Sequence, residues 1–71
     1  MRDKLYQTLV ARYEADIADA KFKIDTFLDR TTIIPEHVDI TGEIDKLLQI
    51  ITDAEDEMAT LRQLYGRKET D

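Results

Sequence analysis

The sequence predicts an all-α fold: an antiparallel two-helix coiled-coil hairpin that dimerises into a four-helix bundle. Three observations predict it. Each half of the chain carries an apolar stripe with alternating spacings of four and three, one proline lies between the stripes, and small residues of one stripe fall opposite large residues of the other. Alternating three-and-four spacing is the period of a left-handed coiled coil. We expect one domain, spanning residues 1–71.

The two stripes predict helix 1 at about residues 3–31 and helix 2 at about residues 40–65. The first stripe contains Tyr6, Val10, Tyr13, Ile17, Ala20, Ile24, Phe27 and Thr31. The second contains Ile40, Ile44, Leu47, Ile51, Ala54, Met58, Leu61 and Tyr65. Because the helices are matched in length and joined by a short loop at 32–39, they should fold back antiparallel, so that residue i faces residue 71 − i. Ala20 then faces Ile51, and Ala54 faces Ile17. A small residue opposite a large one lets the facing layers fill the space between the helices.

The ends of the predicted helices carry recognisable signals. Pro35 ends helix 1, because the residue before a proline avoids helical conformation. Asp39 or Thr41 is the expected N-cap of helix 2. Gly66 is expected to form a left-handed C-terminal cap. Residues 67–71 are expected to be a frayed tail.

Composition excludes several classes of function. The chain contains no cysteine, so it has no disulfide, thiolate metal site or cysteine nucleophile. Its net charge of −6 gives no attraction to phosphate backbones or anionic lipid, so nucleic acid is a disfavoured partner and no membrane partner is expected. No apolar run approaches the roughly 20 residues of a membrane span. With no signal-peptide core at the start, we expect a cytoplasmic protein.

The residues that usually carry catalysis are nearly missing from the sequence. There is no serine and one histidine, His37, which has no nucleophile to activate. There is no glycine-rich phosphate loop and no zinc-binding spacing. We therefore expect no enzyme activity, no catalytic residues, no cofactor and no metal site.

Apolar residues beside the stripes exceed what a two-helix seam needs. They are Leu9, Leu28, Leu48, Ile50 and Leu64. In the predicted register, Leu9 and Leu64 lie on one side of the hairpin, and Leu28 and Leu48 lie on the other. A stripe this broad is typical of a helix buried on more than one side. It predicts either a homodimer of hairpins or a docking face for a different protein.

Two further features are candidate binding sites. The first is an acidic band formed by Glu14, Asp16, Asp53, Glu55, Asp56 and Glu57. These side chains are either solvated, or paired with Lys21 and Lys23 of a second hairpin, or a site for a basic patch on a partner. The second is an apolar loop tip formed by Ile33, Ile34, Pro35, His37 and Val38. It either plugs the open end of the coiled coil or grips a partner.

Short motifs resemble those of small uncharacterised helical-hairpin proteins of tailed bacteriophages. They are Leu5-Tyr6, Arg12-Tyr13-Glu14-Ala15 and Ile34-Pro35-Glu36-His37. This resemblance implies a phage accessory protein that acts on a host or virion component in the host cytoplasm. In plan alone, the chain also resembles the Rop regulator, a helical hairpin that dimerises into a four-helix bundle and binds RNA.

The leading functional hypothesis is a small non-enzymatic adaptor or regulator that binds protein through its helical faces or loop tip. A second hypothesis links the chain to nucleic acid, either as an acidic mimic of nucleic acid or by Rop-like RNA binding. RNA binding would use the basic residues of helix 1, which are Arg12, Lys21, Lys23 and Arg30. A third hypothesis is an assembly chaperone or a structural spacer in a larger particle.

Overall fold

The structure, a computed structural model, describes residues 1–29 and 39–66. These residues form two α-helices, α1 (Arg2–Asp29) and α2 (Ile40–Tyr65), which pack against each other. The predicted all-α helical hairpin is thereby confirmed. The bounds of α2 coincide with the predicted range of 40–65, and α1 begins one residue before its predicted start. The predicted end of helix 1 at residue 31 lies outside the described residues.

The two helices run antiparallel, with the start of α1 beside the end of α2. The guanidinium of Arg2 donates a hydrogen bond of 2.9 Å to the backbone carbonyl oxygen of Tyr65. The last carbonyls of a helix have no partner within the helix and carry the negative end of its dipole. The Arg2 guanidinium therefore satisfies one of these carbonyls and links the start of α1 to the end of α2.

The core lies along the seam between the two helices. Ala20, Leu47 and Ala54 are buried, with Ala20 only 1% exposed. All other described stripe residues are half-buried except Tyr65, which is 57% exposed. Tyr65 was expected to be a core or core-edge aromatic with a solvated hydroxyl, and it lies at the exposed edge of the seam as the last residue of α2.

Asp39 is the N-cap of α2, which decides between the two predicted candidates. Its carboxylate accepts a hydrogen bond of 3.0 Å from the backbone N–H of Gly42, one of the four N–H groups that a helix start leaves without a partner. A Cβ atom at Gly42 would collide with this carboxylate. The glycine thus leaves room for the cap, although glycine lowers intrinsic helix propensity.

Gly66 follows α2, but it does not form the predicted left-handed cap. Its backbone is extended, with φ −68° and ψ 153°, and its N–H donates a hydrogen bond of 2.8 Å to the carbonyl oxygen of Arg62. This prediction was wrong because the chain leaves the helix without reversing its hand. Glycine instead serves a steric purpose, since a Cβ atom here would meet the Arg62 carbonyl oxygen.

Two of the predicted features are not part of the described structure. The loop tip, formed by Ile33, Ile34, Pro35, His37 and Val38, and the tail at 67–71 lie outside the described residues. Neither α1 nor α2 is long and apolar enough to cross a membrane.

Candidate interaction surfaces

The seam divides the outer surface of the hairpin into two flanks. In heptad notation the stripe residues occupy positions a and d, with position e next to a and position g next to d. In an antiparallel pair, the g positions of both helices share one side and the e positions share the other. The described residues of the g flank are Leu9, Asp16, Lys23, Glu43, Ile50, Glu57 and Leu64. Those of the e flank are Gln7, Glu14, Lys21, Leu28, Thr41, Leu48, Glu55 and Arg62.

Four of the five predicted surplus apolar residues remain exposed in the hairpin. Leu64 on the g flank is 63% exposed and Leu28 on the e flank is 60% exposed. Ile50 and Leu48 are exposed by nearly half. Leu9 differs, because it is half-buried. Each flank therefore offers two large aliphatic side chains to a partner.

The two edges of the seam differ in chemistry. The described a positions border the e flank. Six of them carry half-buried aliphatic or thioether side chains, namely Val10, Ile17, Ile24, Ile44, Ile51 and Met58, and the seventh is the exposed Tyr65 at the end of α2. The d positions, which border the g flank, include three buried residues and the half-buried aromatics Tyr6, Tyr13 and Phe27. A tyrosine hydroxyl needs a hydrogen-bond partner such as water. From Val10 to Met58, the edge beside the e flank is thus the more uniformly apolar of the two.

Charge also separates the two flanks. Within residues 1–29 and 39–66 there are two ion pairs, Lys23–Asp19 at 3.0 Å and Lys46–Glu43 at 3.6 Å, and each includes one residue of the g flank. The charged residues of the e flank take part in neither pair. They are two acids and two bases: Glu14, Glu55, Lys21 and Arg62. The e flank is therefore neutral.

The described charges of the g flank leave it acidic. Its three acids, Asp16, Glu43 and Glu57, outnumber its one base, Lys23, so its net charge is −2.

The acidic band predicted from the sequence is divided between surfaces. Glu14 and Glu55 belong to the e flank, and Asp16 and Glu57 belong to the g flank, while Asp53 and Asp56 lie further from the seam. All six are exposed. Among the residues that the structure describes, no group of three or more histidine, cysteine, aspartate or glutamate side chains is placed to hold a metal ion.

Sequence reasoning missed two contributors to these surfaces. The first is Arg2, whose hydrogen bond to α2 exists only once the helices are antiparallel. The second is the unequal burial of the two seam edges, because periodicity alone treats positions a and d alike. The alanines at d could have indicated it: Ala20 and Ala54 are short enough to be covered almost completely, whereas the isoleucines that face them in the predicted register are half-buried.

Comparisons with protein-family models, with curated proteins and with solved structures found no match to this chain. The resemblances to phage hairpin proteins and to the Rop plan therefore stay predictions.

Proposed function

We propose that this chain is a non-enzymatic adaptor or regulator that binds a protein partner through its g flank. The observation that carries the proposal is the combination of exposed apolar side chains with carboxylates on that flank. Ile50 and Leu64 are exposed there, on the same side as Asp16 and Glu57. Apolar anchors surrounded by charge are characteristic of protein-binding surfaces.

The chemistry of the g flank favours a basic amphipathic helix as the partner. In helix-in-groove recognition, an amphipathic helix lies with its apolar face along the partner surface. Ile50 and Leu64 are two heptads apart on α2, so a partner helix would have to lie along the g flank to contact both. The excess of acid on this flank, within a chain of net charge −6, attracts lysine and arginine side chains. Such a partner would be steered to the surface by charge and held by burial of Ile50 and Leu64.

The alternative of Rop-like RNA binding is less well supported. Of its basic residues, Lys23 is already paired with Asp19, and Arg30 lies outside the described residues. Binding phosphates requires several free cations on one surface. A phage origin and the roles of assembly chaperone or spacer are compatible with protein binding, and they differ in what the partner is.

The test is quantitative in-cell crosslinking, followed by purification and mass spectrometry, in cells that produce the tagged protein. The variant Ile50→Glu/Leu64→Glu places two charges on the g flank at positions that are already exposed, so the hairpin remains folded. We expect it to lose at least tenfold of its crosslinked partner relative to the native chain. Asp16→Asn/Glu57→Gln should weaken capture by several-fold, with the loss greatest in low-salt washes.

The matched control is Ala15→Glu/Gln63→Glu, which adds the same charge at exposed positions outside both flanks. It should capture partner at the native level. The proposal fails if the g-flank variant and this control retain the same proteins in equal amounts. It also fails if the captured partner is RNA, recognised by ribonuclease sensitivity.

A further inference from the structure

We propose that a second copy of this chain packs on the e flank, with the two hairpins antiparallel, and that the pair forms a four-helix bundle. This surface lies across the seam from the g flank, so the inference does not depend on the proposed function. Four observations support it: the total exposed area, the apolar edge of the seam, the neutrality of the flank and the spacing of its charges.

The chain as a whole exposes more surface than a globular chain of its mass. Its accessible area is 6170 Å². A globular monomer of 8.3 kDa exposes roughly 4,600 Å² by the usual scaling of area with mass. The difference, roughly 1,600 Å², exceeds the approximately 800 Å² that each partner buries in a stable complex. A second hairpin that buries about 800 Å² would remove about half of this excess.

The e flank has the apolar surface that such an interface needs. The half-buried row of a positions, Val10 to Met58, forms its inner border, and Leu28 and Leu48 add two exposed leucines. The small side chains of Ala11, Ala18 and Ala59 lie just beyond these rows, where a second hairpin can approach closely. Packing of this kind, with wide apolar faces of four helices turned inward, is how four-helix bundles form their core.

Charge favours a copy of the same chain on the e flank rather than on the g flank. In a two-fold symmetric dimer the same patch occurs on both subunits, so it must be complementary to itself. The e flank has two acids and two bases, so the acids of each copy can pair with the bases of the other. The described residues of the g flank have a net charge of −2, which a second copy would double.

The order of the charges favours antiparallel hairpins. In the predicted register, Glu14 and Glu55 lie at one level of the e flank, and Lys21 lies one heptad nearer the loop. A two-fold axis between these levels, close to the middle of the seam, brings each carboxylate pair opposite Lys21 of the other copy. In a parallel dimer, the four carboxylates would face one another, and like charges at short range oppose association.

The first experiment is the solution mass of the full chain, by light scattering on a sizing column. The native protein should have twice the chain mass of 8.3 kDa, at low and at high salt. Leu28→Glu/Leu48→Glu should be a monomer. The matched variant Ile50→Glu/Leu64→Glu introduces the same chemistry on the g flank and should remain a dimer.

Circular dichroism shows whether each variant is still helical. If the glutamate pair on the e flank fails to fold, the gentler Leu28→Ala/Leu48→Ala should raise the dimer dissociation constant at least tenfold. A monomeric native chain overturns the proposal. A dimer that the g-flank variant abolishes and the e-flank variant keeps overturns the choice of surface. Neither result bears on partner capture by the g flank, which is measured separately.

The second experiment determines orientation from the distance between two spin labels in the dimer. A cysteine introduced as Thr41→Cys is the single labelling site, because the chain has no cysteine of its own. Thr41 is at the loop end of the e flank. In antiparallel hairpins, the two labels should lie about 30 Å apart along the bundle, from a rise of about 1.5 Å per residue. A separation below about 20 Å would mean parallel hairpins and would overturn the proposed orientation.

Discussion

At the scale of single residues, the two ends of α2 are determined by short-range contacts. Asp39 begins the helix by accepting the N–H of Gly42, and Gly66 ends it in extended backbone whose N–H still reaches Arg62. Both glycines lie where a Cβ atom would collide with a neighbour, and neither has positive φ. Glycine is therefore used here for space and not for left-handed conformation.

The cap at Asp39 should be measurable in stability. Asp39→Ala removes the acceptor and leaves the N–H of Gly42 to water, so we expect a loss of about 1 kcal/mol in the free energy of unfolding. Urea denaturation followed by circular dichroism measures it. Asp56→Ala, also an exposed aspartate of α2, should change stability by less than about 0.5 kcal/mol. Equal losses in both variants would mean that removing a negative charge, and not the cap, is responsible.

The conformation of Gly66 predicts an unusual pattern of substitutions. In a left-handed cap, asparagine is tolerated far better than alanine. In the extended conformation, both residues bring the same Cβ atom against the carbonyl oxygen of Arg62, so Gly66→Ala and Gly66→Asn should each cost about 1 kcal/mol. Thermal unfolding of the two variants tests this. If Gly66→Asn is as stable as the native chain while Gly66→Ala is not, the cap is left-handed in solution.

At the scale of the helices, the seam depends on two small residues. Ala20 and Ala54 are almost completely buried, while most of the larger stripe residues are only half-buried. In the predicted register, each alanine faces an isoleucine, which lets the helices approach closely at the middle of the seam.

This packing makes Ala20 intolerant of enlargement. Ala20→Leu adds three carbon atoms at a site that is 1% exposed, so we expect overpacking to cost about 1–3 kcal/mol. Ala15→Leu makes the same change at an exposed position of α1 and should have little effect. Urea denaturation of both variants provides the comparison. Equal stability of the two would mean that Ala20 is not at a close helix contact.

At the scale of the whole molecule, the hairpin buries few residues and leaves much apolar surface exposed. Three buried residues make up the core of the described part, and large apolar side chains remain exposed on both flanks. A small chain with a core of this size generally gains stability from association. The difference in charge between a neutral e flank and an acidic g flank suggests that the two are used for different partners.

Association through the e flank predicts that stability depends on protein concentration. If folding and dimerisation are coupled, each tenfold increase in chain concentration should raise the apparent free energy of unfolding by about 1.4 kcal/mol per dimer. Thermal unfolding over a hundredfold range of concentration measures this. Leu28→Glu/Leu48→Glu should unfold at one temperature throughout that range. A native chain that also unfolds at one temperature would contradict coupled dimerisation.

The amino-acid pattern alone was enough to predict the helices, their antiparallel pairing and most of the seam. The apolar period of an amphipathic helix recurs many times within 26 residues, as it does from Tyr6 to Thr31. The pattern can therefore be recognised from the sequence. Periodicity is a property of neighbours along one chain, so it needs no knowledge of the partner helix. The N-cap was narrowed to two residues in the same way, since capping is local.

Tertiary structure decided the features that depend on distances between the helices or at their ends. It placed Arg2 on the last carbonyl of α2, exposed Tyr65, gave Gly66 an extended backbone and buried the d row more deeply than the a row. The heptad repeat predicts none of these features, because each depends on the distance between the two helices or on the backbone at a helix end.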